Sequence, residues 1–216
     1  WFISSPYDFI RGLDVSFIKP RYSRYVVDLN RSASGALLYP GKMETGICPL
    51  TTFDGEALYL KGQEPGESEI ESRIDTWWTP YHEHIRKELE RIRQIHGHAV
   101  LWDAHSIRAK VPQLFDGALP ELNFGNADDS SCAKKLIDEL INTAWEFSNY
   151  SVTLNGRFKG GYITRHYGDP ANGMHAIQLE INQDTYLIRS NPPAIDQGKS
   201  EQLSQLLQRF VRLLIS

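Results

Sequence analysis

A histidine, a glutamate and a few arginines give this sequence its chemistry. Asp103 and His105 follow the apolar run Ala99-Val100-Leu101-Trp102, so a carboxylate and an imidazole stand two residues apart at what reads as the exit of a buried strand. An imidazole lone pair suits a divalent metal, and a carboxylate as near as Asp103 can orient the ring. Taken alone, His105 also has a simpler reading, as a histidine with a satisfied hydrogen bond. Glu180 lies within His175-Ala176-Ile177-Gln178-Leu179-Glu180-Ile181-Asn182. Strand alternation puts Gln178, Glu180 and Asn182 on one face, opposite Ile177, Leu179 and Ile181. A lone buried carboxylate is costly, so Glu180 must be paired, linked to a metal or functional. Arg24 and the pair Asn30-Arg31 flank a third apolar run, Tyr25-Val26-Val27-Asp28-Leu29.

Hydrolysis of an amide by a metal-bound water needs a metal with an open position, a carboxylate to take the water's proton, a cation at the developing oxyanion, and groups that hold the substrate's own charge. His105, Glu180, Arg24 and Asn30-Arg31 can each fill one of these roles. The set is short of the three protein ligands that catalytic zinc takes, since only His105 reads as a ligand. A further segment carries Arg157, Lys159, Arg165 and His166 around the paired glycines Gly160-Gly161, with no acid among them. It reads either as a cradle for an anionic ligand or as a solvated turn.

The elements that must position these groups are legible in outline. Residues 1–13 read as the tail of a helix stopped by Gly12, and Val15–Ile18 and Tyr25–Leu29 as short strands. Residues 32–65 are rich in Gly and Pro yet keep Leu37, Leu38, Tyr39, Phe53, Leu58 and Tyr59, which points to an ordered loop covering a site. Residues 67–96 read as helix, capped at Ser68 and kinked or split at Pro80, with His82 beside the break and His84 on the surface. The spacing of His82 and His84 does not put two ligands on one helical face. Leu122–Gly125 and Tyr150–Leu154 read as strands, and Cys132–Phe147 as a helix. Residues 190–200 read as a loop, and Glu201–Ile215 as an amphipathic helix packing on the sheet. Strands alternating with helices predict an α/β fold: a three-layer sandwich with a mostly parallel or mixed central sheet and helices on both faces.

Composition sets the class. The 216 residues fit one domain, 41% are hydrophobic, and the formal charge is −4. That charge gives no footprint for nucleic acid, and no apolar stretch reaches the length of a membrane span. Cys48 and Cys132 are too few and too isolated for a disulfide framework or a cysteine zinc site. The expectation is a cytoplasmic protein acting on a small molecule, with an oligomer possible.

Several motifs in order carry a specific resemblance. Arg24-Tyr25-Val26-Val27-Asp28-Leu29-Asn30-Arg31, Leu38-Tyr39-Pro40-Gly41, Cys48-Pro49-Leu50-Thr51-Thr52-Phe53-Asp54-Gly55, Leu101 to Arg108 and Asn155 to Gly168 look like the N-formylglutamate amidohydrolase family. That family is related to zinc carboxypeptidases, succinylglutamate desuccinylase and aspartoacylase. The resemblance runs from residue 1 to about residue 186. It implies hydrolysis of N-formyl-L-glutamate to formate and L-glutamate in histidine breakdown, with zinc or another divalent metal. It makes His105 a metal ligand, Glu180 the general base and Arg24 the group facing the oxyanion. Asn30 and Arg31 would hold one substrate carboxylate, and Arg157 and Arg165 the other, since a dicarboxylate calls for two cationic clusters. Relatives begin with a strand ending in a proline-histidine-glycine motif and carry a further upstream acid. The sequence starts beyond these, so the expectation is a sheet without its N-terminal strand, an incomplete metal site and reduced activity. A related acylase or desuccinylase, or a non-catalytic module that binds an acidic metabolite, is the alternative.

Overall fold

The computed structural model describes residues 2–36, 45–147, 150–190 and 192–215. Leu37, Leu38, Tyr39 and the motif that continues to Gly41 lie outside the described residues. A 3-10 helix, Ser5–Gly12, opens the chain and ends at the expected glycine. A long helical segment follows the irregular stretch: α1 (Glu67–Arg73), a π-turn (Ile74–Trp78) and α2 (Thr79–His96). The strands and remaining α-helices are β1 (Ala99–Ile107), β2 (Leu122–Gly125), α3 (Lys134–Phe147), β3 (Val152–Leu154), α4 (Tyr162–Tyr167), β4 (Met174–Asn182), β5 (Leu187–Ile188), β6 (Ala194–Ile195) and α5 (Gln197–Ile215). The main sheet has the order β1-β4-β2-β3. β1 runs parallel to β4, β2 antiparallel to β4, and β3 parallel to β2, so the sheet is mixed.

Each face of the sheet takes its own helices, as the α/β expectation required. On one face Trp102, Ala104, Phe124, Ile177, Leu179 and Ile181 pack with α3, α5 and the 3-10 helix, through residues such as Ile137, Leu140, Leu206, Phe210 and Tyr7. On the other, Ala99, Leu101 and Ala176 meet Ile85 and Leu89 of α2 and Ile163 and Tyr167 of α4. Burial of these apolar faces supplies most of the drive to fold.

Several local expectations are corrected. Val15–Ile18 and Tyr25–Leu29 are not strands. The second run is a chain of turns, with Val26 N–H bonded to Ser23 O at 2.9 Å, Arg31 N–H to Asp28 O at 3.1 Å and Asp28 N–H to Ile47 O. Its β-branched composition is overridden because, among the described residues, no strand lies alongside to complete a ladder. Asn30 and Arg31 therefore sit on a turn, not at a strand exit. β1 continues to Ile107, so Asp103 and His105 lie within the strand rather than past its end. Gly66, not Ser68, is the N-cap position, with no side-chain cap. Pro80 falls in the first turn of α2, where its missing N–H is tolerated, and the π-turn just before it absorbs the irregularity. Helix α5 starts at Gln197, earlier than expected, and β6 occupies part of the presumed loop.

Candidate active site

The parallel pairing of β1 with β4 sets the site. His105 is the register partner of Glu180, and Asp103 of Gln178. The face opposite Trp102, Ala104, Ile177, Leu179 and Ile181 therefore presents Asp103, His105, Gln178 and Glu180 side by side. Had the register placed His105 and Glu180 on opposite faces, no shared chemistry would be possible.

The turn carrying Asn30 closes over this face. Asn30 Nδ2 stands 3.2 Å from His105 Nε2, while its Oδ1 accepts the N–H of Ile163 at 2.8 Å. The Ile163 bond fixes which way the carboxamide points. Asp103 Oδ1 lies 2.8 Å from the same Nε2, and its Oδ2 is buried without a hydrogen-bond partner. Gln178 Oε1 accepts Gly161 N–H at 2.9 Å, which draws the start of α4 onto the sheet. Gly161 is required by close approach: a Cβ there would overlap the Asn30 carboxamide. Gly161→Ala is thus expected to displace Asn30 and lower kcat/KM about 100-fold, the scale of a misplacement near 1 Å. Steady-state kinetics on a folded variant checks this; a change under about threefold would show that Asn30 needs no such fit.

Arg24 enters from the same turn. Its guanidinium pairs with Asp28 at 2.5 Å and lies over the Phe53 ring, 5.1 Å from the centroid. Asp28 is buried and also accepts the Asn30 N–H at 3.0 Å, so one carboxylate organises both Arg24 and Asn30. Arg24 Nε is buried with no partner. Charges in this cluster are strongly coupled. Burial would lower the His105 imidazole, but the Asp103 carboxylate outweighs it and, with Glu180, pushes the ring up to about 9. Burial pushes the Glu180 carboxyl up to about 7, against the pull of His105 and Arg24.

The other sequence candidates hold loop carbonyls. Arg31 Nε donates to Thr45 O at 3.2 Å, Arg157 Nε to Leu114 O at 2.7 Å, and Arg165 Nε to Gly160 O at 3.0 Å. A cavity of about 300 Å³ is lined in part by Thr45, Phe53, Gln113 and Leu114. Its lining thus includes the residues that Arg31, Arg24 and Arg157 contact. Arg165 lies on α4 instead, directed to Gly160. Of residues 32–65, Phe53 is the one that meets Arg24 among the contacts above. Asp28, Gln178 and the ring pair Trp78 and His82 are given no site role by the sequence; the spacing of the last two, one helical turn apart, is the available signal.

The metal implied by the resemblance fits only in part. His105 Nε2 and Asp103 Oδ1 converge, and the orphaned Asp103 oxygen is a donor in need of a partner. Among the described residues no three His, Cys, Asp or Glu side chains come together to hold an ion. A three-ligand catalytic set is not met among the described residues.

The α/β sheet thus brings together a buried carboxylate in register with an imidazole, a nearby guanidinium and an anchored carboxamide. The comparisons are specific. The N-formylglutamate amidohydrolase family model matches residues 1–187. The chain is 43% identical over all 216 residues to an N-formylglutamate deformylase of Pseudomonas putida, covering 80% of that protein, and 43% identical to one of Pseudomonas aeruginosa, covering 81%. An N-formylglutamate amidohydrolase crystal structure from Ralstonia eutropha superposes with a TM-score of 0.72 at 21% identity, over 89% of this chain and 74% of that one. A gene product of Agrobacterium tumefaciens superposes with a TM-score of 0.64 at 20% identity, over 90% and 69%. The chain belongs to the N-formylglutamate amidohydrolase family. No described helix is long and apolar enough to cross a membrane.

Proposed function

We propose that this chain hydrolyses N-formyl-L-glutamate to formate and L-glutamate, as a cytoplasmic step of histidine degradation. The observation that supports this reading most is the shared face of His105 and Glu180, with Arg24 and Asn30 brought against it from a distant turn. Glu180 takes a proton from the attacking water. A carboxyl pushed up to about 7 suits that task, because a base works best when its pKa lies near the working pH. The water oxygen bonds to the formyl carbon, Arg24 faces the oxyanion, and the C–N bond then breaks. Glu180 returns its proton to the leaving amine, so protons balance. Asn30 and Arg31 hold one substrate carboxylate. Arg157, at the cavity edge, and Arg165 are candidates for the second.

The direct test is L-glutamate release from N-formyl-L-glutamate, compared with its release from N-acetyl- and N-succinyl-L-glutamate. Release from the formyl compound alone supports the reading, and faster release from a larger acyl group would replace it with deacylase or desuccinylase chemistry. Zinc or another divalent metal at His105 is a separate proposal. Chelation followed by dialysis is expected to abolish turnover, with zinc restoring it. Turnover unchanged after chelation, with no metal found by elemental analysis, would remove the metal.

A further inference from the structure

The residues that hold the Asn30 turn come from one helical face, and that face exists only because of the π-turn. Arg73 Nη1 donates to Val26 O at 3.0 Å, Trp78 Nε1 to Arg31 O at 2.9 Å, and His82 Nε2 meets Leu29 O at 2.9 Å. Three side-chain donors thus take three backbone carbonyls of the segment 26–31, two of them flanking Asn30. Trp78 and His82 are one α-turn apart, with ring centroids 3.9 Å apart. Arg73 and Trp78 are five residues apart. At 3.6 residues per turn such a pair points to nearly opposite sides of an α-helix. The i→i+5 bonding of a π-turn returns residues five apart to one side, and the π-turn spans Ile74–Trp78, the stretch between them.

The partners fix the chemistry of each donor. A carbonyl only accepts, so His82 Nε2 carries the ring proton and Nδ1 faces the Tyr167 hydroxyl at 2.9 Å. Burial lowers the His82 ring to about 4, which keeps it neutral in this tautomer. Tyr167 belongs to α4, the helix whose Ile163 N–H holds the Asn30 carboxamide. The turn is therefore gripped from the helical segment 73–82 through the carbonyls around Asn30, and from α4 through the Asn30 side chain. Tyr59 and Glu69 in turn hold Arg73.

We propose that Arg73, Trp78 and His82, brought into line by the π-turn, are positioning residues that set the substrate-binding turn 26–31 by its carbonyls. The proposal rests on the reading in which Asn30 and Arg31 bind a substrate carboxylate. Two substitutions at one position separate the roles of His82. His82→Asn keeps a polar group near the Tyr167 hydroxyl but is too short for Leu29 O. His82→Gln returns an N–H to where Nε2 stood. Trp78→Phe removes the donor to Arg31 O and keeps a ring. Amide hydrogen exchange of a peptide spanning 26–31 and the kinetics of N-formyl-L-glutamate hydrolysis are measured on folded variants of equal thermal midpoint.

The expected result is faster exchange at 26–31 and a rise in KM of roughly tenfold or more in His82→Asn and Trp78→Phe, with kcat changed less and His82→Gln close to the parent. Unchanged exchange in both His82→Asn and Trp78→Phe overturns the proposal, whatever the activity. Faster exchange with unchanged KM in an active parent overturns the positioning role. A parent that turns over no N-formyl-L-glutamate overturns the proposed reaction instead, and the exchange measurement still decides whether the clamp exists.

Discussion

Glu180→Gln is expected to lower kcat for N-formyl-L-glutamate about 10²- to 10⁴-fold with little change in KM. The substitution keeps shape and hydrogen-bonding capacity but removes the proton acceptor proposed for the reaction. Glu180 is buried on the sheet, in register with His105, and its carboxyl is held near neutrality by burial against the two neighbouring positive groups. A group in that position is not needed to bind the ground-state substrate, so its loss falls on the chemical step. Burst and steady-state kinetics with substrate near saturation make the measurement. Turnover within about threefold of the parent would take Glu180 out of the reaction and leave proton transfer to another group.

Arg24→Met is expected to cost about 10²- to 10³-fold in kcat, the scale seen when a donor to a developing oxyanion is lost. Methionine retains much of the packing on Phe53 while deleting the charge. The same change leaves Asp28 buried without its ion-pair partner, so the fold must be checked by thermal melting. Arg24→Lys separates charge from geometry: it keeps the cation but not the planar fork, and recovery of only a small part of the activity is expected. If Arg24→Met raised KM alone, the guanidinium would be a substrate anchor and not an oxyanion group.

Much of the site was legible because strand periodicity is a local property. Alternation in His175–Asn182 placed Glu180 opposite Ile177, Leu179 and Ile181, and the structure keeps that arrangement. The pairing of a carboxylate with an imidazole two residues on, Asp103 with His105, follows from the same period. Tyr25–Leu29 failed as a strand because composition reports a preference and the pairing partner is what makes a strand. The helical residues 67–96 were legible as helix, but the π-turn was not, since nothing in their hydrophobic spacing marks one extra residue in a turn.

Which side chains share a face within each strand, and which family's motifs the chain carries, could be read from the residues alone, because periodicity and motif order depend only on neighbours along the chain. It took the folded chain to bring His105 beside Glu180, Asn30 to His105, Asp28 to both Arg24 and the Asn30 turn, and Arg73, Trp78 and His82 onto that turn. Those contacts join residues far apart in the chain. They are fixed by sheet register and by helices packed on both faces, which no local pattern encodes.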